Sequence, residues 1–334
     1  MVQYICMDKK IQKAIEELNK SKKGGYIRAA SYVEKLDSIP TGIEAIDIAT
    51  GIGGLPVGRI SEFYGLPGVG KTSLCLQIIK HAQSQGKSCL FVDAEHAFDI
   101  SHAESIGVDV DNLIIARPES GEDAFETIEQ LVTKEVIDLV VVDSVPSLNP
   151  VPELEAELNK PTMGGQARLI TSALRRLVPI LSRKNASLLL INQMRVNIMG
   201  GQYDPYTVPG GKALQFYASL RIELKRVGYV KRGETPIGLQ VAFRTKKNKC
   251  SNRSDRGEFT YIYDEGFISK INLIEEGERR GVINRNGNTY HFGDRRLGVG
   301  KDASMEAVNS DLSLLNQLRE ALQLPPQSSA ESSQ

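Results

Sequence analysis

The chain has 334 residues, 41% of them hydrophobic and 25% charged, which excludes a disordered or fibrous protein and suits one large core domain with one or two small ones. Forty-one Lys plus Arg balance forty-one Asp plus Glu, so a protein that holds nucleic acid by being basic all over is excluded too. Four cysteines (Cys6, Cys75, Cys89, Cys250) form no CxxC pair and four histidines form no HExxH, so the expectation is a cytoplasmic protein with reduced thiols and no zinc framework. No apolar run approaches the roughly 20 residues that span a bilayer, and no membrane partner is expected.

Along the chain, Ile11, Ala14, Ile15 and Leu18 recur at helical spacing, with Asp8 as a cap and Gly24-Gly25 as a stop. This amphipathic helix has a basic polar face and reads either as a solvated surface helix or as an arm that docks on a neighbour. Short, continuously apolar runs follow at residues 59–64, 88–93, 113–116, 138–143 and 187–192, interleaved with helical patterns. They predict an α/β fold with a mostly parallel twisted sheet and helices on both faces. Runs at 216–226, 237–246 and 258–263 read as antiparallel strands added at one edge, with Gly228 and Lys231-Arg232-Gly233 as turn signals. The expected division is a helix/strand arm (1–32), a core (33–266), a small α+β C-terminal domain (267–324) and a disordered tail (325–334).

Residues Gly65-Leu66-Pro67-Gly68-Val69-Gly70-Lys71-Thr72 fit G-x-x-x-x-G-K-[ST] between a predicted strand and a helical pattern. Such a loop turns backbone N–H groups onto phosphates at a helix N-terminus, with Lys71 reaching the same oxygens and the Thr72 hydroxyl ligating Mg²⁺. An acidic group must hold the metal shell, and the run Leu139-Val140-Val141-Val142-Asp143 ends in one. A third run, Phe91-Val92-Asp93-Ala94-Glu95-His96, offers Glu95 as the group that activates water, with Asp93 positioning its neighbours. A fourth ends in Asn192-Gln193 and opens into the long Gly- and Pro-bearing stretch 194–211, so Gln193 is placed to feel a γ-phosphate and move that loop. A second loop, 153–165, precedes a helical pattern that Pro179 is expected to end or kink.

The neutral total conceals two opposed regions. Residues 91–161 carry three basic and seventeen acidic side chains, and residues 162–256 carry eighteen basic and four acidic. The basic region contains both the glycine-bearing loop 194–211 and the helical pattern with Arg168, so Arg168, Arg175, Arg176, Arg195 and Lys212 are candidates for a groove that follows a phosphate backbone. The run Lys246-Lys247-Asn248-Lys249 fits DNA, a subunit interface or another protomer's nucleotide.

The phosphate loop, Asp93-Ala94-Glu95-His96-Ala97, Val141-Val142-Asp143-Ser144, Ile191-Asn192-Gln193, the segment from Gly210-Gly211-Lys212 to Ser219, and Lys247-Asn248-Lys249 occur in the order found in bacterial RecA recombinases. The chain resembles that family over roughly residues 8–300. The resemblance implies a RecA-like P-loop core and an ATP- and Mg²⁺-dependent, DNA-dependent ATPase. It would form ATP-gated helical homo-filaments on single-stranded DNA, pair it with homologous duplex and exchange strands in recombinational repair and the SOS response. By that resemblance Lys71, Glu95 and Gln193 form the catalytic set. Ser73, Asp99 and Tyr263 join the nucleotide site, which Lys247 and Lys249 complete from the adjacent subunit. Met163 and Ile198 would separate stacked bases, and Gly210, Gly211 and Lys212 would line the DNA path. Phe216 would sit in the interface, the N-terminal helix would be the polymerisation arm, and a repressor of the LexA type is a further candidate partner.

Several positions depart from the family pattern: Leu66-Pro67-Gly68-Val69 stands where Pro-Glu-Ser-Ser is common, His102 where an aromatic packs on adenine, Gln202 where an aromatic is common, and a tail with the one carboxylate Glu331 where relatives are acidic. The competing readings are a RadA-type or hexameric-helicase-type motor, for which the added domains are absent from this sequence, and a non-hydrolysing DNA-coating protein, for which Glu95 would be unnecessary.

Overall fold

The computed structural model describes residues 9–20, 36–156, 164–196, 206–252, 255–263, 265–268, 271–322 and 324; Met163, Ile198, Gln202 and the segment 325–334 lie outside them. Residues 1–37 and 38–334 form two compact units. In the first, helix α1 (Lys9–Lys20) carries the predicted apolar stripe, along which Ile11 and Leu18 are exposed.

The second unit opens with β1 (Ser38–Ile39), α2 (Glu44–Thr50) and β2 (Leu55–Pro56), the two strands pairing antiparallel. Strands and helices then alternate: β3 (Ile60–Gly65), α3 (Lys71–Ser84), β4 (Cys89–Asp93), α4 (Ile100–Ile106), β5 (Leu113–Ala116), α5 (Gly121–Thr133), β6 (Leu139–Asp143), α6 (Val151–Leu154), α7 (Gly165–Lys184) and β7 (Ser187–Gln193). A short antiparallel ribbon of β8 (Arg195–Val196) and β9 (Tyr206–Thr207) leads to α8 (Gly211–Tyr217). The sheet is completed by β10 (Leu220–Arg232), β11 (Thr235–Asn248), β12 (Arg256–Ile262) and β13 (Gly266–Ile268).

The nine strands lie in the order β5-β4-β6-β7-β3-β10-β11-β12-β13, the first six parallel and the last three joined antiparallel. Strands β3, β4 and β6 are buried at every position because helices cover both faces. Residues of α2, α3 and α4 (Ile46, Leu74, Ile78, Ala103) pack one face and residues of α5, α7 and α8 (Ile128, Leu174, Leu181, Leu214) the other. Because the parallel strands run the same way, the loops after β3, β4, β6 and β7 meet along one rim, where α/β sheets place their ligands.

Beyond the sheet, α9 (Leu273–Arg279), the antiparallel trio β14 (Ile283–Asn286), β15 (Thr289–Phe292) and β16 (Arg295–Val299), and helices α10 (Lys301–Asn309) and α11 (Leu312–Ala321) enclose an apolar cluster of their own around Ile274, Tyr290 and Leu318. Arg319 of α11 pairs with Glu44 of α2, and Ile48 packs against this cluster.

Three expectations are corrected. Phe216 lies in α8 and not in a strand; the strand begins at Leu220 and pairs parallel with β3 before it pairs antiparallel with β11. Gly228 marks a register shift inside β10, and the hairpin turns at Gly233-Glu234. Helix α7 continues through Pro179 to Lys184, because the buried stripe Leu174, Leu177 and Leu181 holds its last turns on the sheet although proline removes one helical hydrogen bond.

Candidate nucleotide site

The loop 65–72 leaves β3 and enters α3 through Gly70, which caps the helix in the left-handed region (φ 80°), a conformation glycine adopts without strain. Lys71 folds back over the loop, its Nζ donating to the carbonyls of Gly65 (3.2 Å) and Leu66 (2.9 Å). Burial lowers the Lys71 pKa, opposed by the nearby Asp143 and Glu95 carboxylates. Val69 is buried in the core beside the loop, which gives this departure from the family pattern a packing role.

Thr72 Oγ1 donates to Asp143 Oδ2 at 2.6 Å, joining the start of α3 to the tip of β6. Desolvation pushes Asp143 up to about 6, against the Thr72 hydrogen bond that pulls it down. A hydroxyl and a carboxylate oxygen side by side are the hard ligands that suit Mg²⁺, which takes one or two carboxylates and completes its shell with water and phosphate. No group of three or more His, Cys, Asp or Glu side chains able to hold a metal occurs among the described residues.

Glu95 follows β4. Its Oε1 accepts from the Ser144 hydroxyl and, at 2.7 Å, from Gln193 Nε2, while Ala94 N and Glu95 N both donate to the Asp143 carbonyl (2.9 and 3.2 Å). Asp93, buried as expected, accepts from Ala97 N (2.9 Å), Phe98 N (3.2 Å) and Arg117 Nε (3.1 Å), and so fixes the turn that presents Glu95. A cavity of about 630 Å³ opens beside Glu95, lined by His96, Glu119, Asn149, Gln193 and Arg195 among others. Asp99 caps α4 by accepting from His102 N (3.2 Å), and the His102 ring lies 3.0 Å from Ser73 Oγ. Tyr263 is partly exposed after β12, its ring edge-on to Tyr261.

The basic candidates divide. Arg168 and Lys212 are exposed near the starts of α7 and α8, and these starts abut: a Cβ at Gly211 would stand 3.2 Å from Ala167 Cβ, and one at Gly210 would stand 3.3 Å from Ile170 Cδ1. Arg195 faces the cavity beside Glu95, and Arg175 is exposed farther along α7. Arg176 instead reaches Glu129 of α5 at 2.7 Å. Phe216 is 70% exposed. Lys247 Nζ donates to the Gln215 (2.5 Å) and Phe216 (2.9 Å) carbonyls at the end of α8, where a cation satisfies the last helical acceptors, and Lys249 is exposed.

Spacing did not reveal Ser144, Arg117 or the buried pair Glu62–Arg221 as site supports. The one signal was a glutamate inside the otherwise uncharged strand run 60–65.

The family model described as RecA N-terminal domain matches residues 9–268. Protein RecA of Wolinella succinogenes is 40% identical over 314 residues, covering 93% of this chain and 90% of the relative. Protein RecA of Aquifex aeolicus gives the same identity and coverage, and that of Helicobacter pylori strain Shi470 is 39% identical over 313 residues, 93% of this chain and 90% of the relative. With an α/β core whose sheet carries the phosphate loop and its acidic partners on one rim, the chain belongs to the RecA family of recombinases, nucleotide-binding, DNA-dependent ATPases.

Proposed function

We propose that this recombinase hydrolyses ATP with Mg²⁺, assembles as a helical filament on single-stranded DNA, and pairs and exchanges it with homologous duplex. The observation that carries the reading is the joined rim: Lys71, Thr72 with Asp143, and Glu95 with Gln193 converge from the ends of β3, β6, β4 and β7. When bound, Mg²⁺ draws charge from the transferring phosphoryl group. Backbone N–H groups at the start of α3 and Lys71 hold the phosphates, and Thr72 and Asp143 hold the metal shell. Glu95, oriented by Ser144, takes the proton of the attacking water. Gln193 Nε2 donates a hydrogen bond to Glu95 here, and a γ-phosphate offers that amide a second acceptor, so nucleotide state reaches the loop that follows β7.

The register supports Lys247 and Lys249 acting on a neighbour's nucleotide. Lys247 pairs with Arg221, which is level with Glu62, three residues short of Gly65 and two strands aside. At about 3.3 Å per residue and 4.8 Å per strand, that sets the strand end roughly 10 Å back and 10 Å across from its own phosphate loop. Phe216, exposed on the adjoining helix, belongs to the same interface. Arg168, Arg175, Arg195 and Lys212, with Gly210 and Gly211, are the candidates for the DNA path; Met163 and Ile198 belong to the same reading. Ser73, Asp99 and Tyr263 complete the nucleotide set. The divisions 1–32, 33–266, 267–324 and 325–334, a cytoplasmic location and a LexA-type partner are proposed with it, the separate apolar cluster around Tyr290 supporting the third segment. No helix among the described residues is long and apolar enough to cross a membrane.

Phosphate release with and without single-stranded DNA, followed by strand exchange with ATP, tests the reading. DNA-stimulated turnover and exchanged product are expected; equal rates with and without DNA overturn it.

A further inference from the structure

Glu62 is the one charged residue inside strands β3 to β7 that is not at a C-terminal tip, and it is 1% exposed. Its neighbours Phe63 and Ile60 pack on opposite faces of the sheet, so alternation turns Glu62, with Ile60, toward α7 and α8. Each carboxylate oxygen has its own partner. Oε1 accepts from Asn192 Nδ2 at 2.9 Å, and Oε2 accepts from Arg221 Nε. Arg221, itself mostly buried, lies with its guanidinium 4.8 Å from the Tyr64 ring centre.

The two partners lead to different places. Asn192 also donates to the carbonyl of Pro209, where the long loop returns to α8, and its Oδ1 accepts from the N–H of Gln193, whose side chain holds Glu95. Arg221 stands opposite Lys247 across the β10–β11 ladder, and Lys247 grips the last carbonyls of α8 beside Phe216. One buried carboxylate thus stands between the nucleotide rim and loop base on one side and the interface lysine and helix end on the other.

We propose that Glu62 is a positioning residue that couples nucleotide state to the DNA loop and the subunit interface, by holding Asn192 and Arg221 in one hydrogen-bonded unit. This rests on the reading above in which Gln193 answers the γ-phosphate and Lys247 serves a neighbouring site. A carboxylate holds both donors in one register because it accepts on both oxygens; an amide in its place accepts on one side and sets a donor against one of the two donors on the other. Coupling between two sites requires such a contiguous element, biased by both.

The test measures the affinity of the full chain for a labelled single-stranded oligonucleotide with a non-hydrolysable ATP analogue and with ADP. The ratio of the two affinities reads the coupling, for which about 5- to 150-fold is usual. In Glu62→Gln the ratio should fall to within about twofold of one, while nucleotide affinity stays within about twofold of the parent. A double variant, Glu62→Gln with Arg221→Gln, leaves no unpaired buried charge, so its melting temperature should return toward the parent's while the ratio stays near one. A folded Glu62→Gln that keeps the parent's ratio overturns the proposal, as does a double variant that recovers both stability and ratio. A ratio near one in the parent itself would instead remove the functional reading, and is seen before any variant is made.

Discussion

The two halves of the nine-stranded sheet place their charges by opposite rules. In the parallel half, from β5 to β3, the four inner strands lie under helices on both faces while the edge strand β5 exposes Ile114 and Ile115, and apart from Glu62 every charged residue of these strands stands at a C-terminal tip, as Asp93 and Asp143 do. In the antiparallel half side chains alternate, so β11 buries Val241, Phe243 and Thr245 while Arg244 and Lys246 are exposed. The first arrangement gathers reactive groups onto one rim. The second spreads cations over a surface and delivers Lys247 to a strand end remote from its own phosphate loop. In one sheet, therefore, one half builds a site and the other reaches outward.

The division of labour can be broken from either side. The largest effect is expected at the rim: Glu95→Gln should lower DNA-stimulated phosphate release by about 10²- to 10⁴-fold, the usual contribution of a positioned base, with nucleotide binding retained. Lys247→Ala should also be poorly active in isolation. An equal mixture of these two weak variants should regain about a quarter of parental turnover, because a head-to-tail interface between unlike subunits joins an intact Glu95 to an intact Lys247 in that share of sites. A mixture no better than its components would place both residues in one subunit's site.

A milder effect comes from protonation. Burial, with Lys249 and Arg221 nearby, pushes the Lys247 ammonium down to about 8, so it loses its charge as pH rises through that value. Turnover at limiting ATP should fall on that alkaline limb, and Lys247→Arg, charged throughout, should move the limb upward. An unmoved limb would detach Lys247 from phosphate. The smallest effect is expected in the DNA groove: Arg168→Ala should reduce the salt slope of oligonucleotide affinity by about one, since one phosphate contact releases about one counterion. Arg176→Ala, tied to Glu129, should leave the slope near the parent's.

The parallel strands were legible to within a residue or so because each apolar run is too short for a helix and is bounded by turn residues, although the run itself did not show that β5 leaves Ile114 and Ile115 exposed at the edge. The rim was legible for the same reason: Asp143 and Glu95 immediately follow runs that could not be anything else. The boundary of α8 was not, because Phe216 and Ala218 extend backward the alternation of Leu220, Ile222 and Leu224, and local spacing cannot tell a last helical turn from a first strand residue. Nor could spacing reveal that Arg221 meets Glu62, or Ser144 meets Glu95, across 159 and 49 positions of chain. Those partnerships are set by strand order, which alternation leaves open.

The abutment of Gly210 and Gly211 on Ala167 and Ile170 makes the starts of α7 and α8 a single mechanical joint. On the proposed reading, nucleic acid that engages the start of either helix therefore loads both. Since α8 is only seven residues long and ends at the carbonyls gripped by Lys247, a tilt at that joint is delivered, lever-like, to the opposite end of the helix about 10 Å away.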